Sequence, residues 1–194
     1  AGRLWVGTQD AGLSVFERGR FRHLPVCGGE CEVYDILQPA DGRIWIASDA
    51  GLFRLDPENG QTERMEEARR ARALATDGEG RLFVGGPEGL HVLQGDRLRA
   101  IQLPHPQAKV EMLEAESRDT LLVATERDLY RYHVARGSWE PLGVAGALYA
   151  TRDGDGRWWV AQSTRRVVRQ DGPDGWQAVP ELDGVAISSM ASDD

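Results

Sequence analysis

Five segments of this chain align without a gap: G-R-L-W-V-G-T (Gly2 to Thr8), G-R-I-W-I-A-S (Gly42 to Ser48), G-R-L-F-V-G-G (Gly80 to Gly86), D-T-L-L-V-A-T (Asp119 to Thr125) and G-R-W-W-V-A-Q (Gly156 to Gln162). Their central residues, Trp5, Trp45, Phe83, Leu122 and Trp159, are 40, 38, 39 and 37 residues apart. A period of roughly 40 residues filled with short strands restricts the chain to a repeat architecture. Each motif is followed by a short turn and a second strand, such as Leu13 to Phe16 or Leu52 to Leu55. A polar reversal such as D-P-E-N-G or D-G-P-D-G leads into a third strand, as in T-E-R-M, and a fourth precedes the next motif, as in Val33 to Leu37 and Val110 to Glu114. Four short β-branched and aromatic strands per period, separated by glycine-rich turns, describe a meander sheet. The expected fold is all-β, a β-propeller of five four-stranded blades in a single domain covering residues 1–194.

The termini bear on closure. Joined end to end, M-A-S-D-D and A-G-R-L-W line up with L-A-T-D-G-E-G-R-L-F (Leu74 to Phe83) without a gap. The expectation is that Val185 to Asp193 forms the innermost strand of the first blade and closes the ring, leaving no unpaired sheet edge at the seam. The alternative is an excerpt of a six- to eight-bladed ring.

Several function classes lose support at this stage. With 31 acidic against 23 basic residues the net charge is −8, which disfavours nucleic acid and anionic membrane as partners. No apolar run is long enough to span a bilayer and no leader-like start is present, so any membrane connection is expected through segments outside this chain. P-loop, dinucleotide-binding and G-x-S-x-G signatures do not occur. Neither metal nor cofactor is expected: D-G-E-G and D-G-D-G are followed by Arg81 and Arg157 where a calcium loop needs an oxygen ligand. Cys27 and Cys31, in C-G-G-E-C, are a local disulfide in an oxidising compartment or two free thiols.

The recurring tryptophans are expected in the core. Sequence left unexplained by the repeat sits on the loops after each motif strand and between blades, which gather at one mouth of a propeller channel. There the blades diverge: Asp10, Asp49, Glu88, Arg70, Arg127, Arg165 and His105, with Gln9, Glu30 and Lys109 beside them. Such mixed charge suits a small polar ligand or another protein domain, and Arg70, Arg127 and Arg165 supply forked donors for carboxylate or sulfate groups.

The motif G-R-[LI]-W-[VI]-[GA]-[TS], the G-L pair a few residues later and an aspartate six before the aromatic (Asp77, Asp153, Asp193) resemble the two-component regulator propeller family along the whole chain. The resemblance implies a non-catalytic, extracytoplasmic sensor domain of a bacterial signal-transduction protein, periplasmic or extracellular. A structural or assembly propeller is the alternative. A second resemblance is to streptogramin-lyase-like propellers, which repeat G-x-[LI]-W; that reading needs a catalytic histidine with a metal or acidic partners, and His23, His91, His105 and His133 fall in no such pattern.

Overall fold

In the computed structural model, which describes residues 2–172 and 175–191, the repeats fold as antiparallel meanders laid side by side. Blade 1 comprises β1 (Leu4–Gly7), β2 (Leu13–Glu17) and β3 (Arg20–Leu24), and blade 2 comprises β4 (Val33–Leu37), β5 (Ile44–Ser48), β6 (Gly51–Leu55) and β7 (Thr62–Met65). Blade 3 holds β8 (Ala73–Thr76), β9 (Leu82–Gly86), β10 (Gly89–Gln94) and β11 (Arg97–Ile101). In blade 4 the strands are β12 (Val110–Ser117), β13 (Thr120–Thr125), β14 (Leu129–His133) and β15 (Ser138–Pro141). Blade 5 follows with β16 (Ala147–Arg152), β17 (Trp158–Gln162), β18 (Val167–Asp171) and β19 (Gly175–Ala178). Strand order within every sheet is the order of the chain.

The motif is explained by burial on two faces. β5 and β9 are buried at every residue, so neither can alternate apolar with polar. Four apolar clusters join blade 1 to 2, 2 to 3, 3 to 4 and 4 to 5. Trp45, for example, is 3% exposed among Met65, Leu74 and Val84. The G-L pair has a backbone cause as well. Gly12, Gly51 and Gly89 take φ of 71°, 131° and 96° in the turn after the motif strand, a region costly for a residue with a Cβ.

The aspartate before the motif is a turn clamp. Asp77 Oδ1 accepts the backbone N–H groups of Glu79 and Arg81, and its Oδ2 lies 2.6 Å from Arg81 Nε. Asp153 repeats this with Arg157 and also accepts the Trp159 indole N–H; that indole bond, followed by the contacts with Arg157, holds its carboxyl down at about 2 against burial. In D-G-P-D-G, Pro173 and Asp174 lie outside the described residues.

Two expectations are corrected. Blade 1 has three strands rather than four, and residues 185–191 form no strand, so the closing ladder to β1 is not made among the described residues. Asp193 lies outside them. Residues 189–191 instead border Thr151 to Gly154 at the end of β16. Among the described residues no ladder and no apolar cluster joins blade 5 to blade 1, and blade 1 keeps an apolar row, Leu4, Phe16 and Phe21, exposed. In blade 5 the repeat aromatic Trp159 is only half-buried, outside the apolar clusters of the described residues and bordered by residues 189–191, while its neighbour Trp158 is buried against blade 4.

Candidate functional site at the channel mouth

The first strands of successive blades, β4, β8, β12 and β16, pack against one another and so converge on a common axis. Asp35 ties two of them together: its carboxylate accepts the N–H of Ile36 on its own strand and of Leu74 on β8. Ladder register then sorts the loops onto two rims. Val33 faces Ser48, Val110 faces Thr125 and Ala147 faces Gln162, so the blade-joining loops and the turns after the motif strands share one rim.

All seven sequence-derived candidates lie on that rim, yet they do not form one site. Arg70 and Glu88 border the same narrow crevice beside His91. Asp49 is held in the scaffold: its carboxylate accepts the Glu32 N–H while its own N–H bonds the Glu32 carbonyl. Asp10, His105, Arg127 and Arg165 are exposed on separate loops. Arg165 has φ 59° in the turn where other blades use glycine. Cys27 and Cys31 are disulfide-bonded, with Cα atoms 6.1 Å apart, beside Gly12 in the joining loop of blades 1 and 2.

The side chains that do meet are three that the loop reading passed over. Tyr34, Arg72 and Glu111 occupy the same register position on blades 2, 3 and 4. Bulges between Val33 and Asp35 and between Val110 and Met112 leave Tyr34 and Glu111 outside the ladder. A bulge bends its strand and re-aims the extra side chain. Arg72, just before β8, lies with Cζ 5.0 Å from the centre of the Tyr34 ring and Nε 2.6 Å from Glu111 Oε2. Its Nη groups bond no described residue, and the side chain remains 42% exposed. Burial, with the hydrogen-bonded carboxylate of Glu32 adding to it, raises the Tyr34 hydroxyl above its ordinary range.

Deeper along the same strands the lining turns acidic. Burial pushes Glu114 on β12 up to about 7, and the charge of Asp35 adds to the push. Asp35 is itself raised by burial, against the two backbone N–H groups that it accepts. None of the four histidines is on an inner strand: His23 is on β3, His91 on β10, His133 on β14 and His105 in a loop. No group of three or more metal-ligating side chains occurs among the described residues. On the opposite rim a groove of about 650 Å³ opens between blades 2 and 3, bordered by Asp41, Arg43, Arg54, Arg81, Leu93 and Asp96.

The chain superposes on the extracellular domain of a one component system protein of B. thetaiotaomicron with TM-score 0.78 at 16% identity, covering 91% of this chain and 26% of that one. It superposes on virginiamycin B lyase of Staphylococcus aureus with TM-score 0.75 at 13% identity, covering 92% of this chain and 66% of the lyase. The fold is that of a β-propeller. A catalytically inactive histidine-to-alanine form of the lyase, with quinupristin, gives TM-score 0.71 at 13% identity over 92% of this chain and 73% of that chain. No family model and no curated protein matches the sequence. At these identities the likeness carries architecture and leaves function to the site. The chain thus spans about a quarter of that extracellular domain and about two thirds of the first lyase structure. No helix among the described residues is long and apolar enough to cross a membrane.

Proposed function

We propose that this chain is a recognition propeller that binds a small polar ligand at the channel mouth and serves as the extracytoplasmic sensor part of a bacterial signal-transduction protein. The observation that carries the reading is the Tyr34, Arg72 and Glu111 cluster, an anchored guanidinium with unused donors on three rigid, adjacent strands. Side chains held by packing and by neighbours lose less entropy on binding than free loop side chains do. The sensor part of the proposal draws on the motif resemblance and on the likeness to the extracellular domain of a one component system protein. A lyase reading is disfavoured because the inner strands carry no histidine to act as acid or base. The exposed apolar row Leu4, Phe16 and Phe21 on blade 1 favours a ring of six to eight blades over one closed at five.

A thermal-shift screen of small polar compounds tests the placement, run on wild type, Arg72→Ala and Arg43→Ala. Stabilisation lost in Arg72→Ala alone supports the mouth. Stabilisation lost only in Arg43→Ala moves binding to the opposite rim and overturns the proposal. The sensor assignment predicts a membrane span and an output domain elsewhere in the full gene product, and a gene product lacking both defeats it.

A further inference from the structure

We propose that the channel-mouth site recognises a free α-amino acid as its zwitterion, the carboxylate on Arg72 and the ammonium on Glu111, with the ligand side chain against the Tyr34 ring. This rests on the mouth being the binding site and adds the class of ligand. Arg72 is fixed from two directions, by the ring beneath its Cζ and by the carboxylate at its Nε. That arrangement uses one edge of the guanidinium and leaves the Nη groups without a described partner, an orientation suited to two parallel bonds to a carboxylate. Glu111 engages Arg72 through Oε2 alone. The site thus presents a cationic fork and an anionic oxygen side by side, and an α-amino acid carries the two opposite charges on one carbon.

Charge selects against the simpler alternatives. Arg72 is already matched by Glu111, and Asp35 and Glu114 lie on the flanking inner strands. A phosphate or dicarboxylate would bring two negative charges onto an Arg72–Glu111 pair that has no surplus positive charge of its own. A simple amine would meet the guanidinium. A neutral zwitterion avoids both penalties, since like charges at close range cost free energy while opposite charges in a partly dry site gain it. The Tyr34 ring, 38% exposed, gives an apolar surface beside the charged pair and favours a side chain of some size.

The test compares L-phenylalanine, L-phenylalanine amide and N-acetyl-L-phenylalanine on the full chain by calorimetric titration, with melting measured alongside. Only the unmodified amino acid is expected to bind. Arg72→Ala should weaken it by roughly tenfold or more, as for the loss of charge-assisted hydrogen bonds. Arg72→Lys, which keeps the charge without the fork, and Glu111→Gln should each weaken it by less, and Arg97→Ala on the outer strand should leave it unchanged. Equal binding of the N-acetyl derivative reduces the site to a carboxylate receptor and overturns the proposal; equal binding of the amide overturns it likewise. If none of the three binds but another polar compound does, and that binding is lost in Arg72→Ala, the ligand class falls while the mouth stands. Binding that survives Arg72→Ala removes both.

Discussion

Blades 1 and 2 present the same register to opposite fates. In blade 2, Ile44 pairs with Leu55 across β5 and β6, and both are 0% exposed under the flank of blade 1. The matching row of blade 1, Leu4 paired with Phe16 and Phe16 with Phe21, is 58%, 36% and 67% exposed. The Phe16 and Phe21 rings meet at 4.9 Å between centroids, tilted by 48°, and belong to no apolar cluster of the described residues. An apolar row is therefore written into both blades, and only the presence of a neighbour decides whether it becomes core. The chemistry of a propeller face is a property of the strand; its burial is a property of the ring.

The largest expected effect that could break this comparison is at the repeat aromatics. Trp45→Ala should destabilise by about 3–5 kcal/mol through loss of buried area and the cavity left behind. Trp159→Ala, at a half-buried position of blade 5, should cost about 1 kcal/mol. Equal losses in denaturant unfolding would mean that blade 5 is covered in solution.

A smaller effect follows from the doubly flanked inner strand of blade 4. Glu114 titrates at about 7 in the folded chain and near its ordinary value of 4.5 when unfolded. The folded state therefore binds the extra proton between those values, so stability falls as pH rises from 4.5 to 7 and levels off above. Glu114→Gln should flatten that slope and stabilise the chain at pH 8, by an amount of order 1–3 kcal/mol. A pH–stability profile unchanged by the substitution would place Glu114 in open solvent.

The smallest effect concerns the uncovered row. Phe16→Ser and Phe21→Ser should shift the stability of this chain by no more than about 0.5 kcal/mol, as surface changes do. Oxidative footprinting should label both phenylalanines here and spare Leu55. In the full gene product the proposed larger ring should protect them. Protection within residues 1–194 would restore the five-bladed closure.

Much of the architecture was legible because the repeat encodes it twice, in the apolar run that two neighbours bury and in the glycine that the following turn needs. The aspartate clamp sits in D-G-E-G and D-G-D-G, segments whose glycines suit a tight turn. The fourth strand of blade 1 was not legible: M-A-S-D-D aligns with an inner strand, yet residues 185–191 form none, since alignment reports compatibility with a ladder and not whether a partner strand is within reach. The same blindness sent Trp159 to the core and overlooked Trp158, since two adjacent tryptophans on one strand must face opposite ways.

The candidate site was harder to see. Tyr34, Arg72 and Glu111 recur at spacings of 38 and 39, so the period itself was a usable signal. Their types differ, however, and a search for similarity passes over a position that is constant in place and variable in chemistry. Bulges hide it further, because a residue that leaves the ladder does not disturb an apolar pattern.

Taken by themselves, residues 2–172 and 175–191 pack as a succession of blades, and the cooperativity of this stretch should be that of a chain of neighbours. The apolar clusters among the described residues each join one blade to the next, so opening of this stretch can begin at either end and travel inward, as in solenoid repeats. Blade 1, with three strands and one neighbour, should exchange its amide hydrogens soonest, followed by blade 5. Tyr34, Arg72 and Glu111 belong to blades 2, 3 and 4, the three with a neighbour on each side. Fraying at the ends would leave those three intact, so occupancy of the mouth can persist through fluctuations that dismantle the rest.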